Sequence, residues 1–442
     1  MESKTERRFG KWGIVFVILG LATFIGLSLK ARPTLAEKSS NAVTSFPMVK
    51  PEEEGFSTER LQRVHDAMQR QIDAGKIAGV VTLIAHNGKI VEFDAQGWAD
   101  LDTKRPMVKD NVFNWASLTK TVTAVAVLMM VEEGKIQLRD PVWRYIPEFK
   151  NEKVQVTGSS DLVKASHDIT IRDLLTHTSG IGESNPMSPK ANEILTSTLA
   201  VMVPRYAAVP LSFQPGTKWQ YSGWQAFDTL ARVVEVASGK PYNVFLKERI
   251  FDPLGMKDTG FNPFADARAP RLAIRYTSSP NVYVPDPNRP EEGPLKKMDP
   301  PTPWSVGNAY FSGGAGLSGT AEDYLKFAQM LLNGGELNGK RLLSPETITM
   351  MRGNHVGDLF PGFQGTYPRE GTGFGLGVQV VMDRSAGDIL LPDGSFGWVG
   401  ASGCEGVMIP NEHIALIFMV GGGDNLVART EFHTTAMQAF MQ

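Results

Sequence analysis

The sequence predicts an α+β fold: an antiparallel sheet built from both ends of the chain, flanked by helices, with a large and mainly helical insertion between the two halves. Three observations carry this. Strand patterns lie early, between residues 77 and 96; they return late, between 375 and 420; and helical periodicity dominates the long stretch between them.

The elements follow in order. At Ser57 a helix begins, with Leu61, Val64, Met68 and Ile72 at helical spacing until Gly75 stops it. The apolar runs 77–85 and 89–96 flank His86-Asn87-Gly88, and Asn-Gly between such runs marks a tight hairpin. Helical patterns occupy 117–133, 171–176, 224–238, 243–251 and 321–333. The proline-dense stretch 280–303 suits neither a helix nor a central strand and reads as a long surface loop. Short apolar strands follow at 375–382, 397–400, 406–409 and 414–420, and 425–441 reads as a closing helix.

A different segment precedes this domain. Lys4, Arg7, Arg8 and Lys11 stand before an uncharged, mostly apolar run over 13–29, which Lys30 and Arg32 follow. A basic start ahead of an apolar run marks membrane targeting. Residues 1–36 are therefore expected to be a signal peptide or an N-terminal membrane anchor, 37–50 a linker, and 51–442 the main folded domain. Within that domain the sheet is drawn from about 51–110 and 365–442 and the helical region from about 111–364. The expected location is outside the cytoplasm, in the cell envelope or periplasm. The run 13–29 is long for a signal core and short for a span, so a cleaved form and a form anchored through it are both open.

Composition narrows the chemistry. With 42% hydrophobic and 21% charged residues over 442 positions, the chain is globular. A net charge of −2 without a long basic run argues against a nucleic-acid partner. The single cysteine, Cys404, excludes an intrachain disulfide and a Cys-based zinc site, and its glycine-rich surroundings suit a small packing residue. The seven histidines are scattered and no His-Glu-x-x-His occurs, so no metal and no other cofactor is expected. No Gly-x-Ser-x-Gly is present either. Nothing in the sequence indicates an oligomeric state.

Ser117-Leu118-Thr119-Lys120 is the only Ser-x-x-Lys in the chain. It opens a helical run, so residues three apart share a face and the Lys120 amine comes within reach of the Ser117 hydroxyl. A serine hydroxyl needs such a base, and burial with nearby positive potential lowers a lysine pKa toward that task.

The run 115–124, Glu132-Glu133-Gly134-Lys135 with Asp140-Pro141, and Leu174-Leu175-Thr176-His177-Thr178-Ser179-Gly180 resemble the serine β-lactamase and penicillin-binding-protein superfamily. The likeness continues through Gln214-Pro215-Gly216, Tyr221-Ser222-Gly223, Pro253-Leu254-Gly255-Met256 and Gly313-Gly314-Ala315-Gly316-Leu317. It thus covers nearly everything after about residue 50, and it is nearest to the class C-like esterases, the family VIII type. The resemblance implies the β-lactamase/transpeptidase-like fold. It also implies three catalytic elements, Ser-x-x-Lys, Tyr-x-Asn and Lys-Thr-Gly.

The first element is intact. In the second, Tyr221 is present but Gly223 stands at the asparagine position. In the third, Trp398-Val399-Gly400 replaces Lys-Thr-Gly, as in the superfamily's esterases. Carried over, Ser117, Lys120 and Tyr221 are the catalytic residues, the backbone N–H groups of Ser117 and Ala401 form the oxyanion hole, and Gly223, Trp398, Val399 and Gly400 contact substrate. Gly400 is expected to let the substrate approach the strand edge. His177 reads as a structural, hydrogen-bonding histidine.

Loss of the third-element lysine removes a cation suited to a substrate carboxylate, which β-lactams and D-alanyl peptides carry and neutral esters lack. The expected function is therefore hydrolysis of carboxylic esters through an acyl-enzyme on Ser117. The alternatives are a D-alanyl-D-alanine carboxypeptidase or weak class C-like β-lactamase, and a non-catalytic binding or sensor protein on the same fold. The expected partner is a small ester, amide or β-lactam.

Overall fold

Ser57 caps the first helix, α1 (Thr58–Asp73), by accepting the Arg60 N–H, and the helix buries Leu61, Val64, Ala67 and Met68. The computed structural model to which it belongs describes residues 46–182, 193, 196–277, 294–298, 307–363, 368–423 and 425–441. The expected targeting segment and most of the 280–303 loop lie outside the described residues. Among the described residues, no helix is long and apolar enough to cross a membrane.

Strands β1 (Gly79–His86) and β2 (Lys89–Asp100) form the expected hairpin. Its turn places Asn87 at φ 50° and Gly88 at φ 73°, the left-handed pair that matches the twist of the flanking strands. A short third strand, β3 (Arg105–Pro106), pairs with β2. The C-terminal half supplies β7 (Thr372–Phe374), β8 (Gln379–Val381), β9 (Phe396–Val399), β10 (Glu405–Ile409) and β11 (Ile414–Val420). Every neighbour in this eight-stranded sheet is antiparallel, in the order β7-β8-β9-β10-β11-β1-β2-β3. The two chain ends meet where β1 pairs with β11, from Val80 opposite Val420 to His86 opposite Ile414.

Both faces of that sheet are covered, so β1 is buried along its whole length. On one face Val80, Ile84, Leu416 and Phe418 pack against α1 and the closing helix α6 (Leu426–Ala439). On the other, Val81, Leu83, Ile417 and Met419 join the core of the helical region. That region contains α2 (Thr119–Glu132), α3 (Ile171–Leu175), α4 (Gln225–Ser238) and α5 (Ala321–Leu332). Helix α2 is buried on every face from Thr119 to Met130, with Lys120 and three threonines among otherwise apolar residues. A small second sheet lies among these helices, with β4 (Phe113–Asn114) and β5 (Gly260–Phe261) on either side of β6 (Leu317–Gly319).

The expected single strand 375–382 folds differently. Gly375 N–H bonds the Val378 carbonyl at 2.7 Å and Gly377 turns at φ 77°, so the segment makes the tip of the β7–β8 hairpin. A Cβ on Gly377 would lie 2.7 Å from Ala124 Cβ, so glycine lets the tip seat on α2. Cys404 is fully buried with its thiol directed at the Val420 carbonyl at 3.4 Å, and burial pushes its pKa up. It packs in the core.

Candidate active site

The residues leading into α2 are fixed from two sides. Trp115 N–H bonds the Leu317 carbonyl at 2.9 Å, which ties the chain to β6. Ala116 then takes φ 46°, a left-handed conformation that costs a non-glycine residue free energy and is met where surrounding structure enforces it. Ser117 follows in a short 3₁₀ turn, Ala116–Leu118, and α2 proper begins at Thr119. The expected helix start at Ser117 thus falls two residues before the α-helix proper, yet the three-residue spacing survives and still puts Lys120 over Ser117.

Ser117 Oγ accepts hydrogen bonds from Lys120 Nζ at 3.0 Å and from the Tyr221 hydroxyl at 2.6 Å. Lys120 is 1% exposed and also donates to the Gly314 carbonyl at 2.8 Å. Its Nζ lies 4.9 Å from the centre of the Tyr221 ring and 5.6 Å from that of Phe227. A lysine, a tyrosine and a serine from three separate segments therefore converge on one oxygen.

The Tyr221 loop is held by rings. His177 lies 4.7 Å from Tyr221 between centroids, Phe363 5.1 Å and Trp398 5.7 Å. Trp398 is fully buried and meets Phe363, Phe374 and His177 as well. Its ring packs beneath the tyrosine and presents no open face to solvent. Burial and the Lys120 charge hold the His177 imidazole well below its usual pKa of 6.5, so it is neutral. Its Nδ1 sits 3.1 Å from Ser222 Oγ, next to Tyr221. Gly223 takes φ 56°, a backbone for which glycine carries no steric penalty.

The strand side closes on the nucleophile turn. Gly400 directly follows β9, and a Cβ there would run into the Trp115 carbonyl. The glycine therefore lets β9 approach the Ser117 turn itself, where closeness to substrate was the expectation. Ser402 Oγ donates to the Asn114 carbonyl at 2.7 Å, and Gly400 and Cys404 close the bend with a 2.7 Å backbone bond. Arg275 braces the Ala401 carbonyl at 3.2 Å. Ala401 is thus fixed beside the first helical turn, where backbone N–H groups lack intrahelical partners.

One buried acid escaped the sequence reading. Asp228 on α4 is fully buried, and its carboxylate receives the Tyr310 hydroxyl, Ser312 Oγ at 2.7 Å and the Gly314 N–H at 2.9 Å. Burial pushes its pKa up to about 6. The available signal was a lone carboxylate among Ala226, Phe227, Leu230 and Ala231 on a helix buried on those positions.

A serine, a lysine and a tyrosine on this fold invite comparison with known chains. The Beta-lactamase family model matches residues 64–434. The chain belongs to the β-lactamase family. Esterase EstB of Burkholderia gladioli is 33% identical over 78% of this β-lactamase-family chain and 85% of its own length. A chain of Escherichia coli K12, whose name proposes a D-alanyl-D-alanine carboxypeptidase, is 26% identical over 87% of this chain and 88% of its own. Among solved structures, EstCE1, a hydrolase with promiscuous acyltransferase activity, superposes with a TM-score of 0.70 at 28% identity, covering 86% of this chain and 98% of EstCE1. The protein is a serine hydrolase of the β-lactamase fold.

Proposed function

We propose that the protein hydrolyses carboxylic esters through an acyl-enzyme on Ser117. The convergence of Lys120 Nζ and the Tyr221 hydroxyl on Ser117 Oγ is the observation that carries this reading. Ser117 Oγ attacks the ester carbonyl carbon while its proton passes to neutral Lys120, and the carbonyl oxygen becomes an oxyanion held by the Ser117 and Ala401 N–H groups. Tyr221 delivers a proton to the departing alcohol. Water then attacks the acyl carbon as its proton passes to the Tyr221 phenolate, the bond to Ser117 Oγ breaks, and Lys120 returns its proton to Ser117 Oγ as the acid leaves.

Ester preference over β-lactams or D-alanyl peptides is supported by the missing lysine at position 398, where the buried Trp398 ring leaves no ammonium to meet a substrate carboxylate. Val399 and Gly400 with Gly223 are proposed to shape the two rims of the cleft. The likeness to EstB and EstCE1 points the same way. Residues 13–29 are proposed to direct export.

A substrate panel on one preparation tests the reading. Short p-nitrophenyl esters should turn over and Ser117→Ala should abolish that turnover. A chromogenic cephalosporin or a D-alanyl-D-alanine peptide cleaved much faster than the esters would overturn the ester assignment. Mass spectrometry of the mature protein tests export, since residue 1 retained in a cytoplasmic fraction contradicts it.

A further inference from the structure

Behind Lys120 lies a carboxylate for which the acyl-enzyme chemistry gives no role. Asp228 accepts three converging donors, the hydroxyls of Tyr310 and Ser312 and the Gly314 N–H. An ionised carboxylate satisfies all three as an acceptor, whereas an amide would turn its NH₂ toward one of them. The last of these donors belongs to the residue whose carbonyl holds Lys120 Nζ at 2.8 Å. One residue, Gly314, therefore bridges the acid and the amine.

The bridge is stiff. Thr123 Oγ1 donates to the Gly313 carbonyl at 2.6 Å, and Leu317 N–H to Thr119 Oγ1 at 3.1 Å, so α2 grips the turn from one side. From the other side α4 presses on it directly: a Cβ on Gly313 would lie 2.5 Å from the Phe227 carbonyl, and one on Gly314 2.6 Å from Trp224 Cα. Between the two helices the turn has one direction, and Asp228 locks it. A lone buried carboxylate is costly, and the cationic form of Lys120 offsets part of that cost, because its field opposes the effect of burial on Asp228.

We propose that Asp228 is the positioning residue of the Ser117–Lys120 pair. It aims the amine by fixing the 313–314 turn, and its charge stabilises the ammonium that forms when Lys120 takes the Ser117 proton. The proposal rests on the acyl-enzyme reading. In that step the Ser117 O–H bond breaks, an N–H bond forms on Lys120, and the oxygen electron pair makes the bond to the carbonyl carbon. Lysine passes from neutral to cationic one residue away from the carboxylate, as the imidazole does beside its aspartate in a Ser-His-Asp triad. Tyr221 and His177 also face Lys120, while Tyr310, backed by Tyr206, faces Asp228, and Tyr242 reaches the same wall through Thr123.

The test compares kcat and KM of the full chain, Asp228→Asn and Ser312→Ala on a short p-nitrophenyl ester from about pH 6 to 10. Asp228→Asn should lower kcat by roughly 10- to 100-fold with KM within about 3-fold, and move the acidic limb of the kcat profile to lower pH, because lysine without its anionic neighbour loses a proton more easily. Ser312→Ala keeps the acid but removes one donor, and should lower kcat about 3-fold with KM unchanged. That variant decides the matter if Asp228→Asn does not fold. Wild-type kcat in either folded variant, or an Asp228→Asn loss with an unmoved limb, overturns the proposal. Undiminished turnover by Ser117→Ala, measured alongside, would instead remove the acyl-enzyme reading beneath it.

Discussion

The two sides of Lys120 are built from different interactions. Behind it, hydrogen bonds set the arrangement: Asp228 with three donors, Thr123 with the Gly313 carbonyl and the Tyr242 hydroxyl, Tyr206 with Tyr310 at 2.7 Å. In front of it, Tyr221 is surrounded by His177, Phe363, Trp398 and Trp219, and the buried Trp219 Nε1, Trp398 Nε1 and His177 Nε2 have no hydrogen-bond partner among the described residues. A hydrogen bond fixes an atom in a direction, whereas ring packing fixes a plane and leaves the atom at its edge some travel. The difference suits the two tasks. In the proposed mechanism the amine has one proton donor to face, Ser117, while the tyrosine hydroxyl serves both Ser117 and a leaving group.

The sharpest way to break this contrast is to remove the amine. Lys120→Met preserves most of the buried side-chain volume and deletes only the proton acceptor, so kcat/KM on an ester should fall by about 10⁴-fold or more. A drop below about 10-fold would mean that Tyr221 alone serves as base. Tyr221→Phe keeps the ring within its aromatic shell and removes the hydroxyl; a loss of roughly 10³-fold in kcat with little change in thermal midpoint is expected. If Tyr221→Phe lost stability instead of rate, the hydroxyl would belong to the structure and the division between the two sides would fail.

Trp398 tests the front by packing alone. It is fully buried against Phe363, Phe374, Tyr221 and His177, so Trp398→Ala should cost about 3–5 kcal/mol of unfolding free energy, read from urea denaturation. Because the rings orient Tyr221, kcat should fall with it. Stability lost with kcat intact would show that the tyrosine needs no ring beneath it.

Much of this site was legible because its signals are local. The Asn87-Gly88 turn, the α1 stripe and the Ser117–Lys120 spacing each depend on a few neighbouring residues, and each appears where the pattern put it. What escaped depends on segments far apart in the chain. Asp228 acquires its meaning from Gly314, 86 residues on, and Gly400 from Trp115, whose carbonyl leaves no room for a Cβ. Trp398 was readable as the replacement for a lysine, but not as a ring buried beneath the tyrosine, since that requires Phe363 and Phe374 to arrive from another strand and loop. The run 375–382 alternates like one strand, and only the seating of Gly377 on α2 breaks it into a hairpin.

The smallest expected effect separates the two sides by the sign of their pH dependence. His177 is buried in front of Lys120, and burial with the lysine charge holds its pKa well below 6.5. In the unfolded chain an ordinary histidine titrates near 6.5, so below that pH the unfolded state takes up a proton the folded state refuses. The contribution of His177 is therefore complete above about pH 6.5 and is lost as pH falls, with a slope of at most about 1.4 kcal/mol per pH unit for one proton. His177→Phe keeps a ring against Tyr221 and removes the titration, so its unfolding free energy should fall less steeply than wild type between about pH 6.5 and 5. Asp228, behind the lysine, works in the opposite sense: with its pKa raised from 3.8 to about 6, its contribution is present in acid and is lost as pH rises through that window. Urea midpoints of His177→Phe and Asp228→Asn measured across the same pH range should thus diverge from wild type with opposite slopes, and parallel slopes would mean that the imidazole in front is not held neutral by its burial among the rings.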